Sequence, residues 1–266
     1  MADVREIDLQ ALAEGQAVDW MERLAQAISA AESGELAGQA TEIDAADNRL
    51  SPRARQRIGI TGSPGVGKST LTGALISALR KQGRKVGVLA VDPSSVLTGG
   101  ALLGDRIRMN EHYLDVDVFI RSMSARGHLG GLAEATPMAS KLLAIAGYSP
   151  VIVETVGVGQ SEVEVMNHVD TTCVVLAPGA GDDIQSSKAG IMEIADIFII
   201  NKSDRDPDGA ARLRQEILRS LDLSPRSDGW VAPVILVSAL ERTGVDELLG
   251  AFDEHQKFLE SNSSVG

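Results

Sequence analysis

Residues 62–70 read Gly62-Ser63-Pro64-Gly65-Val66-Gly67-Lys68-Ser69-Thr70. The run fits G-x-x-x-x-G-K-[ST], a loop that wraps phosphate, and it constrains the fold because it works only between a strand and a helix. Its glycines let backbone N–H groups turn inward as an anion cradle that a Cβ would obstruct. The Lys68 ammonium can reach the β- and γ-phosphates, and the Ser69 hydroxyl can ligand Mg²⁺. The following helix would point its positive end at the same phosphates. The flanks agree. Arg57-Ile58-Gly59-Ile60-Thr61 is a short apolar run suited to a buried strand, and Thr70–Leu79 carries apolar residues at helical spacing.

The rest of the chain alternates in the same way. Strand-like runs occur at Lys85–Val91, Val116–Ile120, Val151–Glu154, Thr171–Ala177, Ile197–Asn201 and Pro233–Ser238. Helical patterns recur at Leu132–Gly147, Asp208–Leu221 and Gly244–Leu259. Apolar strands that barely alternate predict a mostly parallel sheet covered on both faces, hence an α/β fold of the P-loop NTPase kind. The first 50 residues read as a helical appendage. Leu9, Leu12 and Ala13 suggest one short helix, and Trp20, Leu24, Ala27 and Ile28 a second; Glu32 to Asn48, rich in Gly, Ala and acids, reads as a loop or weak helix. The expected organisation is a helical segment over 1–50, a nucleotide domain over 51–260 and a frayed tail over 261–266.

Composition narrows the partners. Hydrophobic residues make up 44% of 266 positions but aromatics only 3%, so the core must be built from Ile, Val, Leu and Ala. A net charge of −12 argues against non-specific nucleic-acid or anionic-membrane binding. The single cysteine, Cys173, excludes an internal disulfide framework. No apolar run suits a signal peptide or a membrane span, so a cytoplasmic location is expected.

Asn201-Lys202-Ser203-Asp204 follows a strand and fits NKxD, a guanine reader. A carboxylate such as Asp204 can accept hydrogen bonds from guanine N1–H and N2–H₂. Adenine lacks that donor pair and would leave the charge unmatched. Asn201 can bridge to the base or to neighbouring loops, and the Lys202 stem can cover the base plane. Ser238-Ala239-Leu240, also after a strand, resembles the loop that completes such a pocket. Glu154 closes a hydrophobic strand, where an acid can hold Mg²⁺ through water or orient the attacking water. Asp92, in Asp92-Pro93-Ser94-Ser95, and Asp105, in Gly104-Asp105-Arg106, are further candidate metal or water ligands, with helix or turn capping as their alternative role.

Together with Val91–Ser95, Gly99–Met109, Glu154–Glu162 and Ala177–Asp196, these motifs resemble the MeaB/ArgK/MMAA family of G proteins over roughly residues 10–255. The resemblance implies a G domain of the SIMIBI type that binds GTP and GDP with Mg²⁺. It implies a slow GTPase stimulated by its client, an adenosylcobalamin-dependent acyl-CoA mutase such as methylmalonyl-CoA mutase, whose cofactor loading or repair it gates. A cobalamin adenosyltransferase is a further partner it allows. By position, Asp92, Asp105 and Glu154 would surround the metal and attacking water. Residues 93–109 and 155–162, including Gly157 and Gln160, would form two switch loops. Asp182, Gln185 and Lys188 would belong to a third. Two departures stand out: Ala189 replaces a second switch lysine, and the chain ends soon after Leu259, where many members continue into a helical arm that helps form a homodimer. A homodimer stays open, without that arm to make it.

Rival readings predict other features. A nickel-delivering GTPase needs clustered soft or imidazole ligands, whereas Cys173, His112, His128, His168 and His255 are scattered in sequence. A small-molecule kinase would not need the NKSD run. A scaffold with negligible turnover would not need Glu154 and Asp92. No residue stands out as a general base, so intrinsic hydrolysis is expected to be slow.

Overall fold

The computed structural model describes residues 7–15, 19–92, 112, 114–124, 131–155, 166–179 and 194–263. Within them a seven-stranded sheet forms, in the order β3-β2-β4-β1-β5-β6-β7. The strands are β1 (Arg57–Thr61), β2 (Val86–Asp92), β3 (Val118–Ser124), β4 (Val151–Thr155), β5 (Thr171–Leu176), β6 (Ile197–Ile200) and β7 (Val234–Leu236). Every pairing is parallel. The sequence reading predicts this: β1, β4, β5 and β6 are buried at every position, as strands sandwiched between helices must be.

Side chains alternate between the two faces of the sheet. Ile58 and Ile60 of β1, Ile152 of β4 and Val175 of β5 pack against helix α4 (Lys68–Lys81) and helix α7 (Val245–Ser263), among them Leu71, Leu75, Leu248 and Phe252. Val151 and Val153 face the other way, toward helix α5 (Gly131–Ile145) and its Leu142 and Leu143. At the β6–β7 end, Phe198 and Ile200 pack on Leu213 and Ile217 of helix α6 (Pro207–Leu223). Helix α6 begins as its sequence dictates: Pro207 occupies the first turn and the Asp206 carboxylate accepts the Gly209 N–H at 2.9 Å.

The N-terminal helices α1 (Leu9–Glu14), α2 (Trp20–Glu32) and α3 (Ala40–Asn48) form an outer layer on α5. Leu24, Ile28, Leu36 and Ile43 share one core with Leu89, Phe119 and Tyr148. The stretch expected to be loop or weak helix is thus helical over α3, because Ile43 finds a buried site and Asp47 pairs with the buried Arg57 of β1. Strand β3 differs too. The apolar run predicts a start at Val116, but pairing with β2 begins at Val118↔Val86. Val116 lies in a turn, its carbonyl accepting the Tyr148 hydroxyl at 3.1 Å. Arg80 holds the same turn by bonds to Asp115 at 2.8 Å and Asp117 at 2.6 Å. No helix among the described residues is long and apolar enough to cross a membrane.

Candidate guanine-nucleotide site

Parallel strands with helical crossovers bring the ends of β1, β4, β6 and β7 to one edge of the sheet, where open α/β folds bind ligands. The phosphate loop leaves β1 there. Gly62 has φ 145°, and a Cβ on it would lie 2.2 Å from the Val175 carbonyl oxygen, so only glycine fits against β5. Gly67 has φ 97° and backs onto Asn201, whose Nδ2 would lie 2.5 Å from an added Cβ. Helix α4 starts at Lys68, and the Leu71 N–H bonds the Gly67 carbonyl at 2.9 Å. The Lys68 side chain is buried and donates to the carbonyls of Gly62 at 2.6 Å and Ser63 at 3.2 Å, which folds its ammonium back over the loop. Val66 is buried beneath the loop, whereas Pro64, Gly65 and Thr70 are exposed.

Glu154 lies on the same sheet face as Ile152, the face that α4 covers. Its carboxylate is 2% exposed and accepts the Ser69 hydroxyl at 2.6 Å and the Thr72 hydroxyl at 2.8 Å. The sequence reading singles out Ser69 and Glu154; it missed Thr72. The signal was present: Ser69 and Thr72 are three apart and share one helix face. A hydroxyl that donates to a carboxylate keeps its lone pairs for a cation. Hard oxygen donors of this kind suit Mg²⁺, which takes few protein ligands and fills its shell with phosphate oxygens and water. Ser69 and Glu154 therefore fit the ion. Among the described residues no group of three or more His, Cys, Asp or Glu could hold a metal. Asp92 is the last residue of β2, paired in register with Ser124 of β3; its carboxylate is outside the described atoms.

Asn201 ties three loops together. Its amide Nδ2 donates to the Val66 carbonyl at 2.9 Å and the Gly67 carbonyl at 3.4 Å, and its Oδ1 accepts the Ala239 N–H at 3.0 Å. The bridge between loops, one of the two roles open to it in sequence, is thus in place. Lys202 adopts φ 59°, and its ammonium reaches the Gly65 carbonyl at 2.5 Å, so its stem runs along the phosphate loop. Asp204 is half-buried in the same turn and, among the described residues, takes no hydrogen-bond or ion-pair partner. The turn is fixed from below by the Ser203 N–H on the Val237 carbonyl at 3.2 Å. Ser238 and Ala239 are buried; the Ser238 hydroxyl accepts the Glu241 N–H at 3.2 Å, which shapes the loop. Leu240 is 71% exposed at its rim. Phosphate loop, NKSD turn and Ser238–Leu240 loop thus form one connected rim. Asp105, Gly157, Gln160, Asp182, Gln185 and Lys188 lie outside the described residues.

A sequence profile for the family described as "Methylmalonyl Co-A mutase-associated GTPase MeaB" matches residues 24–265. The chain belongs to this family. Relatives agree with the placement. A GTPase-designated protein of Pyrococcus abyssi is 53% identical over 211 residues, 78% of this chain and 64% of its own length. The GTPase ArgK of Escherichia coli is 42% identical over 211 residues, 79% of this chain and 64% of that protein. A mitochondrial methylmalonic aciduria type A homolog of Caenorhabditis elegans is 41% identical over 201 residues, 74% of this chain and 50% of that protein. The chain therefore spans half to two thirds of the length of these relatives. A crystal structure of a LAO/AO transport system kinase superposes with a TM-score of 0.73 and 31% identity, covering 96% of this chain and 75% of its own. HypB from Helicobacter pylori, solved with nickel, superposes at 0.57 with 17% identity over 82% of this chain and 94% of its own. At that identity it shares the fold alone. The MeaB-family assignment agrees with the motif set read from sequence, and the parallel sheet with the expected P-loop α/β fold.

Proposed function

We propose that this MeaB-family chain binds GTP with Mg²⁺, hydrolyses it slowly to GDP and phosphate, and uses the difference between the two bound forms to regulate an adenosylcobalamin-dependent acyl-CoA mutase. The observation that carries the nucleotide reading is the Asn201 side chain. It joins the loop that would hold phosphate to the two loops that would hold the base, so one residue sets their separation. The open carboxylate of Asp204 supplies the acceptors guanine needs, and adenine would leave them unpaired.

In this reading Lys68 leaves its loop carbonyls to meet the β- and γ-phosphates, while the loop's N–H groups and the N-terminus of α4 take the remaining oxygens. Ser69 and Glu154 hold the metal side. Mg²⁺ supplies neutralisation of charge that builds on the phosphate oxygens during transfer. Glu154, fixed by two hydroxyls, is a buried acceptor that can orient water for in-line attack. Intrinsic turnover is proposed to be slow, with outside help supplied by the client.

The client is proposed from the family description, which names methylmalonyl-CoA mutase, and from the C. elegans relative's name. The candidate switch segments, residues 93–109, 155–162 and 182–188, would carry the nucleotide state to it. Competition of GTP, GDP, ATP and XTP for a fluorescent guanine nucleotide, with phosphate release measured in parallel, tests the reading. GTP and GDP should displace the probe, ATP should not, and phosphate should appear slowly. Equal displacement by ATP would overturn it.

A further inference from the structure

We propose that Thr72 is a positioning residue for the metal side of this site: its hydroxyl fixes the Glu154 carboxylate so that the opposite oxygen meets Ser69. The inference rests on the nucleotide reading above and goes one residue further.

Three observations carry it. Thr72 is fully buried, so its hydroxyl must find a partner inside the protein. A threonine in a helix commonly bonds the carbonyl one turn back. Thr72 instead donates to Glu154 Oε2 at 2.8 Å, across 82 residues of sequence. Glu154 Oε1 accepts Ser69 at 2.6 Å, so the two carboxylate oxygens are held separately by hydroxyls one helical turn apart. The β-branched Thr72 side chain has few rotamers within a helix, which makes it a stiff support. With Oε2 held, the carboxylate cannot turn about its terminal bond, and the Ser69 hydroxyl proton has one place to go. The Ser69 lone pairs are then directed away from Glu154, where a cation can use them. Removing the Thr72 hydroxyl frees the carboxylate to rotate and to take the Ser69 hydroxyl in other orientations.

The test compares Thr72→Val, which keeps the shape and loses the donor, with Thr72→Ser, which keeps the donor. The readout is the Mg²⁺ concentration needed to slow release of a fluorescent GDP analogue, alongside release in EDTA. Thr72→Val should need about tenfold more Mg²⁺ or beyond, the usual cost of losing a partner that orients a metal ligand. Its release rate in EDTA should stay near wild type, because the phosphate loop and the NKSD turn are untouched. Thr72→Ser should restore most of the Mg²⁺ response. An unchanged Mg²⁺ response in Thr72→Val would overturn the proposal. So would equal impairment in both variants, which would make the role one of packing. Failure of the wild-type protein to bind the GDP analogue would instead overturn the nucleotide reading itself.

Discussion

At the scale of single residues, the site is a set of polar side chains each with two tasks. Lys68 caps carbonyls of its own loop and, in the proposed reading, is also the cation that meets the phosphates. Lys68→Ala should therefore abolish turnover and weaken GTP binding by at least about hundredfold, as measured by titration. Asp204→Asn replaces an acceptor with a donor, and its selectivity for GTP over ATP should fall by about hundredfold or more in competition binding. Asn201→Ala leaves the Ala239 N–H and the Val66 carbonyl without their partner. Each buried orphan costs about 1–3 kcal/mol, so the variant should melt several degrees lower and bind nucleotide more weakly. Motif spacing names these residues as candidates. The sequence leaves base and loop both open as partners of the Asn201 side chain, and the structure shows its bonds to the Val66 and Gly67 carbonyls and to the Ala239 N–H.

At the scale of elements, the P-loop helix and the buried strands were legible because their apolar residues repeat with a clear period over enough positions. Helix α3 was not. Ile43 and Asp47 are its only buried positions, and a helix of nine residues has little stability of its own. What holds it is tertiary: Ile43 enters the α5 core, and Asp47 forms an ion pair with Arg57 in which the two side chains are 5% and 8% exposed. Arg57 also bonds Ser140 of α5 at 3.1 Å, so β1, α3 and α5 meet at one guanidinium. Breaking a buried pair from one side strands a charge. Asp47→Ala should cost about 3–5 kcal/mol of unfolding free energy, measured by urea denaturation. The start of β3 was misjudged for a similar reason. Val116 looks like strand by type, but the Arg80 fork onto Asp115 and Asp117 bends the chain before pairing begins.

At the scale of the whole molecule, one cluster lies away from the nucleotide edge, at the start of β5 and β6. The His255 ring is buried, bonded to the Thr171 hydroxyl at 2.9 Å and tilted against the Trp230 ring at a centroid distance of 4.7 Å, with Asp196 at 3.5 Å. Burial lowers its pKa below the usual imidazole value of 6.5; Asp196 and Asp228 oppose that shift and Arg226 adds to it. The unfolded chain, whose imidazole keeps the ordinary value, then binds the proton more readily. Stability from this residue is present above about pH 6.5 and is lost as pH falls through and below it. Thermal midpoints between pH 8 and pH 5 should drop more steeply for the wild type than for His255→Gln; equal slopes would contradict the assignment. Nothing in the sequence marks this cluster, because its members are scattered from Thr171 to His255 and meet only through the sheet. By contrast, the parallel architecture could be read from strand composition, and three short motifs name the loops that meet at one edge of the sheet.

The central claim is that a guanine-nucleotide cycle in this chain serves a cobalamin-dependent mutase. Its most direct test is GTP turnover by the purified chain, alone and with each of a panel of adenosylcobalamin-dependent acyl-CoA mutases, methylmalonyl-CoA mutase first. The account predicts slow turnover alone and a marked increase with one mutase, absent in Lys68→Ala. Unchanged turnover with every mutase, with GTP binding intact, would contradict it.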